Sequence, residues 1–513
     1  MKKTFLVIMM VVAFVLTTFA GGILTNTNQS AQFVRMLSRN ASTQIDAVYF
    51  NPAGVMKLEN GFHIALHNQT ISQTRTILTG APLNNKEFIG DVKAPLFPSA
   101  FAVYKVDNLA FSLGFGPNGG GGSADYKTGL PSFEGMVANK LSALKPEGYD
   151  VDIAFKGQSV FWGLQAGVSA KLGDVFSGYL GVRYLPSKNT YTGHIKDISV
   201  VVGGQKILAF DYLTALSSAA SGAAASVQPL ITMGGGALTI PQAHSLGYIK
   251  TGDKDLLLGG LIALGVPAAQ ANAMNINQVQ AAFSDGAAFL DQSAQGTKDV
   301  MVDVTATGAG WTPIVGININ PSEELNIGLK YEHKTALVLT NETREGDGYS
   351  DAGMAFLKNN QKVSSDLPGI VTAGLDYKVT DRFLTSLSFN TYLDKGVDWG
   401  SNIYGEKRDI DKNSWELALG LQYHLFDNFA LSIGGMQSTT GVSQQYQSDF
   451  SYSNTSNTGS FGFQWNISES LTFDAGVLYT VYKDYDKAFK GYKETYDKEN
   501  FVFGFGLAYS IFK

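Results

Sequence analysis

Trp415-Glu416-Leu417-Ala418-Leu419-Gly420-Leu421-Gln422-Tyr423-His424-Leu425 alternates without a break. Successive side chains of an extended chain point to opposite faces. Trp415, Leu417, Leu419, Leu421, Tyr423 and Leu425 therefore share one face, and Glu416, Ala418, Gly420, Gln422 and His424 share the other. The same period of two runs through Leu325 to Glu332, Val371 to Val379 and Phe501 to Ile511. This is the pattern of strands with one apolar face, and it predicts an all-β chain.

Two architectures use such strands. A soluble sandwich turns the apolar face inward, whereas a membrane barrel turns it to lipid and lines its lumen with the polar face. The connections distinguish them. Tight polar turns at 106–108, 173–174, 320–324, 380–382, 426–428 and 468–470 alternate with long polar segments at 79–97, 117–157, 191–304, 341–365, 395–413, 442–457 and 483–499. Short turns at one end and long loops at the other mark a bacterial outer-membrane barrel. Strands are expected near 61–78, 98–106, 108–116, 158–172, 174–190, 305–319, 324–340, 367–379, 382–394, 413–425, 428–441, 457–467, 470–482 and 499–512. The fold expected is a closed antiparallel transmembrane β-barrel of about 14 strands. Tyr377, Tyr423 and Tyr509 are placed for an aromatic girdle at the short-turn end. Within 191–304, Asp255 to Gln292 reads as helix broken near Gly265-Val266-Pro267, so the long outer loop is expected to be partly helical. Its apolar run Leu256 to Ala269 is expected either to pack on the barrel mouth or to offer a greasy surface to a ligand.

Composition agrees. Only 16% of the 513 residues are charged, with 57 Gly, 32 Phe, 23 Tyr and 5 Trp, against about 25% charged in average globular chains. A mean hydropathy of +0.01 disperses the apolar residues among polar ones and excludes a bundle of membrane helices. The net charge of −6 leaves no basic surplus for nucleic acid. The absence of Cys excludes disulfides and thiolate chemistry.

Residues 1–20 read as a secretory signal peptide, with Lys2 and Lys3 ahead of an apolar run and a small-residue site at Thr18-Phe19-Ala20. Residues 21–60 are neither strand-periodic nor charge-rich, and carry Phe33, Met36, Leu37, Ile45, Val48 and Phe50. A barrel of this size has a lumen to fill, so 21–60 is expected to form an N-terminal hatch in it, with 61–513 as the barrel.

Asp46-Ala47-Val48-Tyr49-Phe50-Asn51-Pro52-Ala53-Gly54 resembles the Asn-Pro-Ala signature of the FadL/TodX family of outer-membrane transporters for long-chain fatty acids and other hydrophobic compounds. The Pro-led strand, Pro-Ser-Glu-Glu turn and second strand ending in Tyr331, over 312–332, are similar too. Outer-membrane barrels usually end in a terminal aromatic residue; here Lys513 follows Phe512. The resemblance implies an integral barrel of the outer membrane, surrounded by its lipid and expected to be a monomer. Asn51, Pro52, Ala53 and Gly54 would belong to the hatch motif. It implies capture of fatty acids or aromatic compounds at the outer loops, an apolar pocket by the hatch, and passive lateral exit through a kinked third strand. Gly114, Gly116, Pro117 and Gly119 have the composition such a kink needs, since Pro lacks a ladder donor and Gly weakens strand order.

A carboxylated cargo would pair with a cation near the pocket, for which Arg35, Arg39, Lys57 and Arg75 are candidates. A general porin or surface adhesin is the alternative that the long loops leave open. No cofactor or metal site is expected, and no enzyme. His63 and His67 share a strand face but lack a third ligand, and Ser432 with His424 lacks every other mark of a hydrolase.

Overall fold

The computed structural model describes residues 23–80, 83, 87–144, 146–402, 405–489 and 492–512. The expected signal peptide and Lys513 lie outside the described residues. The chain divides into two compact units, one of Met1–Pro131, Ala154–Gly193 and Met301–Lys513, the other of Ser132–Ile153 and His194–Val300.

The strands are β1 (Gly61–Thr79), β2 (Glu87–Val106), β3 (Leu109–Tyr126), β4 (Gly148–Lys171), β5 (Phe176–Val202), β6 (Gln205–Leu208), β7 (Val300–Ile319), β8 (Leu325–Glu332), β9 (Val338–Thr343), β10 (Lys362–Ser364), β11 (Ile370–Thr380), β12 (Phe383–Tyr392), β13 (Ser414–Phe426), β14 (Phe429–Thr439), β15 (Ser456–Asn466), β16 (Leu471–Tyr482), β17 (Tyr485–Phe489) and β18 (Tyr492–Phe512). β9, β10 and β17 continue β8, β11 and β16 upward, and the short β6 pairs with the end of β5 beyond the wall, which has 14 strands. Neighbours in sequence are neighbours in the sheet, and β1 closes on β18 from Gly61↔Phe512 to Thr79↔Glu494.

Facing identifies the solvent. On β1, His63, Ala65, His67 and Gln69 are buried while Phe62, Ile64 and Leu66 are exposed, Leu66 by 61%. On β13, Glu416, Ala418 and Gln422 are buried and Leu417 and Tyr423 exposed. Apolar side chains outside and polar ones inside invert the arrangement of a soluble sandwich and suit lipid. Tyr377, Tyr423 and Tyr509 are each 47% exposed at the short-turn ends, as a girdle requires. The protein is an outer-membrane-type β-barrel. No helix among the described residues is long and apolar enough to cross a membrane.

The strands run well past their expected ends: β2 begins at Glu87, β3 reaches Tyr126, β4 begins at Gly148 and β18 at Tyr492. Much of what reads as loop at 79–97, 117–157 and 483–499 is therefore ladder. Above the lipid the outward face no longer has to be apolar, as Glu87, Asp91 and Lys93 show on β2, so backbone pairing continues without the outward apolar stripe.

Helices α1 (Ala31–Met36) and α2 (Ala47–Phe50) precede the first strand, and the second unit carries α3 (Pro131–Leu141), α4 (Ala209–Thr232), α5 (Ile240–Ser245), α6 (Thr251–Ala263), α7 (Ala268–Ala273) and α8 (Ile276–Gln295). Capping boxes start α5 (Thr239 with Gln242) and α8 (Asn275 with Gln278). The apolar run at 256–269 serves a core of this unit's own, in which Leu257 and Leu261 pack with Leu213, Val227, Ile276, Val279 and Phe283. The helical stretch is longer than expected, because α4 is an Ala-rich helix half of whose buried positions are Ala.

Two outcomes follow from this architecture. Leu66→Arg places a charge on the lipid face and is expected to cost about 2–4 kcal/mol, measured by urea unfolding of the bilayer-inserted protein. Asp394 lies buried in the connection between β12 and β13, where its Oδ2 accepts from the Ser414 N–H at 2.8 Å. Burial pushes its carboxyl up to about 6, against the smaller opposing effect of the Ser414 bonds. With the folded value above the unfolded one, the contribution to stability is complete below about pH 4 and is lost as pH rises through about 6. Asp394→Asn is therefore expected to raise stability by about 2 kcal/mol at pH 8 and to leave it unchanged at pH 3.5, in unfolding curves at both.

Candidate functional site

The N-terminal segment folds on itself before it meets the wall. Ser30 caps α-helix Ala31–Met36 by accepting from the Phe33 N–H. Asp46 then gathers the turn, accepting from Ser30 Oγ at 3.2 Å, Ser42 Oγ at 2.6 Å, Arg39 Nε at 2.8 Å and Arg39 Nη2 at 2.7 Å. The short helix Ala47–Phe50 leads into Asn51-Pro52-Ala53-Gly54, where Pro52 opens a 3₁₀ turn running to Lys57.

Every residue of that tetrapeptide is engaged. Asn51 Nδ2 donates to Ser42 O at 3.0 Å and to Asn318 Oδ1 on β7 at 2.7 Å. The Pro52 and Ala53 carbonyls accept from Ser169 on β4 and Ser177 on β5, both at 2.8 Å. A Cβ on Gly54 would stand 2.4 Å from Asn51 Nδ2 and 2.5 Å from Ser42 O, so only Gly fits.

The same segment bonds to inward-facing residues all round the ring. Arg35 pairs with Asp474 on β16 at 2.8 Å, with both side chains shielded from solvent, and donates to Gln422 on β13 and Ser432 on β14. Ser38 bonds Ser386 and Ser388 on β12. Asn326 on β8 donates to Ala41 O at 2.8 Å, and Gln165 on β4 to Val48 O at 2.6 Å. Lys330 Nζ donates to Tyr49 O at 2.7 Å and pairs with Glu332, which also holds Arg183 at 2.5 Å. Gly476 faces the Arg35 backbone, and a Cβ there would lie 2.7 Å from Arg35 Cα. Phe33, Val34, Leu37, Val48, Tyr49 and Phe50 form one apolar cluster with Ala65, Phe101, Val103, Leu478 and Val502 of the wall.

The wall itself is interrupted beside the beginning of this segment. β2 and β3 pair at Gly90↔Tyr126 through Lys93↔Ser123, then not again until Ala100↔Phe115. Pro95 and Pro98 stand on the β2 side of the break, and Gly116, Pro117 and Gly119 on the β3 side, which is bulged against β4 at Pro117/Gly119 and Gly121/Ser123. Leu24 to Gln29 supply the missing partners. Asn26 N–H donates to Asn118 O at 2.9 Å, Gly120 N–H to Leu24 O at 3.2 Å, and Gln29 Nε2 to Pro117 O at 2.8 Å. β3 thus continues through the expected kink as a strand, its ladder to β2 broken and its free edge bonded to the N-terminal segment.

Above the segment is a cavity of about 500 Å³. Phe33, Ile71, Phe97, Met436, Leu478 and Val502 line it, and it reaches Gly120 and Gly122 at the wall break. One or two inward positions further up, Gln73, Arg75, Ser438, Thr480, Tyr482, Lys498 and Asn500 also face it. The cavity is therefore apolar at its floor and polar above.

Arg75 and Lys498 are direct cross-strand partners between β1 and β18. Like charges placed opposite one another destabilise a sheet. Among the described residues no carboxylate lies within ion-pair distance of either. Arg75 Nε donates to Gln73 at 3.1 Å and Lys498 Nζ to Tyr452 O at 2.8 Å, and both lie over the Tyr452 ring, at 5.5 and 4.8 Å. Asn454 Oδ1 and Asn500 Oδ1 are buried in the same lining without a hydrogen-bond partner.

Of the four cations singled out in the sequence, Arg35 and Arg39 are taken up by Asp474 and Asp46, Lys57 is exposed, and Arg75 faces the cavity. Lys498 escapes a reading of the sequence because it stands in a stretch that looks like loop. Ser432 Oγ accepts from Arg35 and donates weakly to Gln422 at 3.4 Å, while His424 contacts Gln422, so the two do not form a nucleophile–base pair. His63 bonds Ser510 and the Glu59 carbonyl; both ring nitrogens of His67 are buried without a partner.

Asp474→Asn would leave the Arg35 guanidinium buried without its counter-charge, a loss of about 3–5 kcal/mol. Trypsin is expected to cut after Arg35 much faster in this variant while the barrel still migrates as a folded band in the cold. Unchanged cutting would contradict the ion pair's role.

No family model matches the sequence, and no curated protein matches it. Solved structures do. A Pseudomonas aeruginosa FadL homologue aligns over 95% of this chain and 99% of its own, at 13% identity and a TM-score of 0.57. The P. putida toluene transporter TodX aligns over 92% and 95%, at 10% identity and a TM-score of 0.53. At such identities the likeness is one of architecture, and the chain has the fold of the FadL-type outer-membrane barrels.

Proposed function

We propose that the protein carries hydrophobic compounds with an anionic end, long-chain carboxylic acids foremost, passively across the outer membrane. The observation that carries this is the pair Arg75 and Lys498, facing each other across β1 and β18 above an apolar floor, with no carboxylate within ion-pair distance of either among the described residues. A carboxylate between them relieves their repulsion and accepts charge-assisted hydrogen bonds. The alkyl chain then lies down toward Phe33, Ile71, Leu478 and Val502, where each buried CH₂ contributes about 0.8 kcal/mol.

In this reading the segment 21–60 is a hatch, locked to the wall through Asn51-Pro52-Ala53-Gly54 and through Arg35. Cargo leaves sideways between β2 and β3, where Leu24 to Gln29 now occupy the unpaired edge. Withdrawal of those residues would open an apolar route from cavity to lipid, sparing the chain renewed contact with water. The hatch's bonds to strands all round the ring weigh against a general porin, which needs an open lumen. TodX is named as a toluene transporter, which fits a hydrophobic cargo; the cationic pair favours a carboxylate over a plain hydrocarbon here.

Arg75→Gln with Lys498→Gln is expected to weaken binding of hexadecanoate by about 10- to 100-fold, and to leave the binding of uncharged hexadecanol unchanged. Titration of the purified protein in nanodiscs with both ligands measures this. Equal loss for the two would remove the carboxylate from the account.

A further inference from the structure

The connection between β14 and β15, residues 440–455, is folded, and its middle is buried: Tyr446, Gln447, Ser448, Asp449 and Tyr452 are all nearly inaccessible. A turn closes it at Ser448 and Ser451, and Gln447 and Ser453 exchange two hydrogen bonds at 2.8 and 2.9 Å. Its root is tied to the β17–β18 hairpin. Lys487 Nζ donates to Gln447 O at 2.6 Å, Tyr452 Oη to Asp497 O at 2.8 Å, and Asn454 Nδ2 to Tyr496 O at 2.8 Å.

Phe450, at the tip, touches a different part of the wall. Its ring lies 4.8 Å from Phe155 on β4, 6.4 Å from Tyr191 on β5 and 5.1 Å from Phe356 in the segment between β9 and β10. Counted round the ring, β4 and β5 lie opposite β14 and β15. The segment therefore spans the lumen from wall to wall, and Asp449, Phe450, Ser451, Ser453 and Asn454 line the cavity from that side, with Ile23 to Asn28 lining it as well.

We infer that Phe450 is a specificity-determining residue of the cargo's entrance, closing it with Phe155, Tyr191 and Phe356 so that a slender chain passes between the rings and a broad polycyclic group does not. This rests on the proposed transport function, since the cavity beneath is the one assigned to cargo. Rings suit such a constriction, because they fill the opening without hydrogen bonds that a passing chain would have to break, and each ring contact is individually weak. Lys498 adds a link between seat and strap, because the ammonium that faces the cavity also holds the Tyr452 carbonyl at the strap's root.

The test compares Phe450→Ala and Phe450→Trp with the wild type in nanodiscs, by stopped-flow association of two fluorescent fatty acids. One is slender, cis-parinaric acid; the other is bulky, a hexadecanoate carrying a terminal pyrene. Opening the ring is expected to speed the pyrene probe at least tenfold in Phe450→Ala, with parinaric acid changed less than threefold, and Phe450→Trp is expected to slow the pyrene probe further. If the ratio of the two association rates stays at the wild-type value in both variants, the inference is overturned. If both variants alter only dissociation, Phe450 is a wall of the cavity and the inference fails equally. Absence of saturable binding of either probe to the wild type would instead overturn the transport function, and this inference with it.

Discussion

Inside a bilayer no water satisfies a backbone N–H or C=O, and each one left unpaired costs several kcal/mol. That constraint shapes the wall. It requires β1 to return to β18, which it does along its whole length. It also gives the alternation of the sequence its meaning, because in a closed antiparallel ring one face of every strand sees lipid and the other the lumen. The interruption between β2 and β3 is where a barrel would be expected to lose most, and the chain meets the loss in two ways. Pro95 and Pro98 carry no N–H to leave unpaired, and Leu24 to Gln29 bond the exposed edge of β3. A gap so maintained is a feature the fold sustains at a cost, which fits a functional opening.

The lumen obeys the complementary rule that buried charge must be paired. Arg35, Arg39 and Arg183 each meet a carboxylate, and Lys330 shares Glu332 with Arg183. Against that background Arg75 and Lys498 stand out: they are directly opposite, face the cavity and lie over aromatic rings, and among the described residues no carboxylate is within ion-pair distance of either. Two cations so placed are what the proposed carboxylate seat rests on, and the graded polarity around them fits an amphiphile better than a plain hydrocarbon.

The membrane-spanning part of the fold is legible in the sequence because lipid on one side and polar residues on the other impose a strict period of two. The strand at 414–426 can be read residue by residue. Where the strands rise above the lipid that pressure ends, and Glu87 to Lys93 or Tyr492 to Lys498 look like loop although they are ladder. Lys498 is hidden with them, and so is its pairing with Arg75, a relation of register that no local stretch of sequence reveals. The Pro117 and Gly119 side of the wall break is visible from composition; the Pro95 and Pro98 side is not, since its surroundings read as a connection. The strap at 440–455 gives no periodic signal at all, because what folds it is a set of side-chain bonds to carbonyls far away in sequence. Ala-rich α4 gives little warning of itself, because its helical pattern leans on small residues whose burial only the packed unit discloses.

The most direct measurement is native mass spectrometry of the protein released from membranes in mild detergent. A single carboxylate-bearing amphiphile bound per chain, retained when bulk lipid is stripped away, is the result predicted by an enclosed cavity with a cationic seat. A chain that emerges empty after growth on long-chain acids, or that retains only uncharged hydrocarbon, would contradict it.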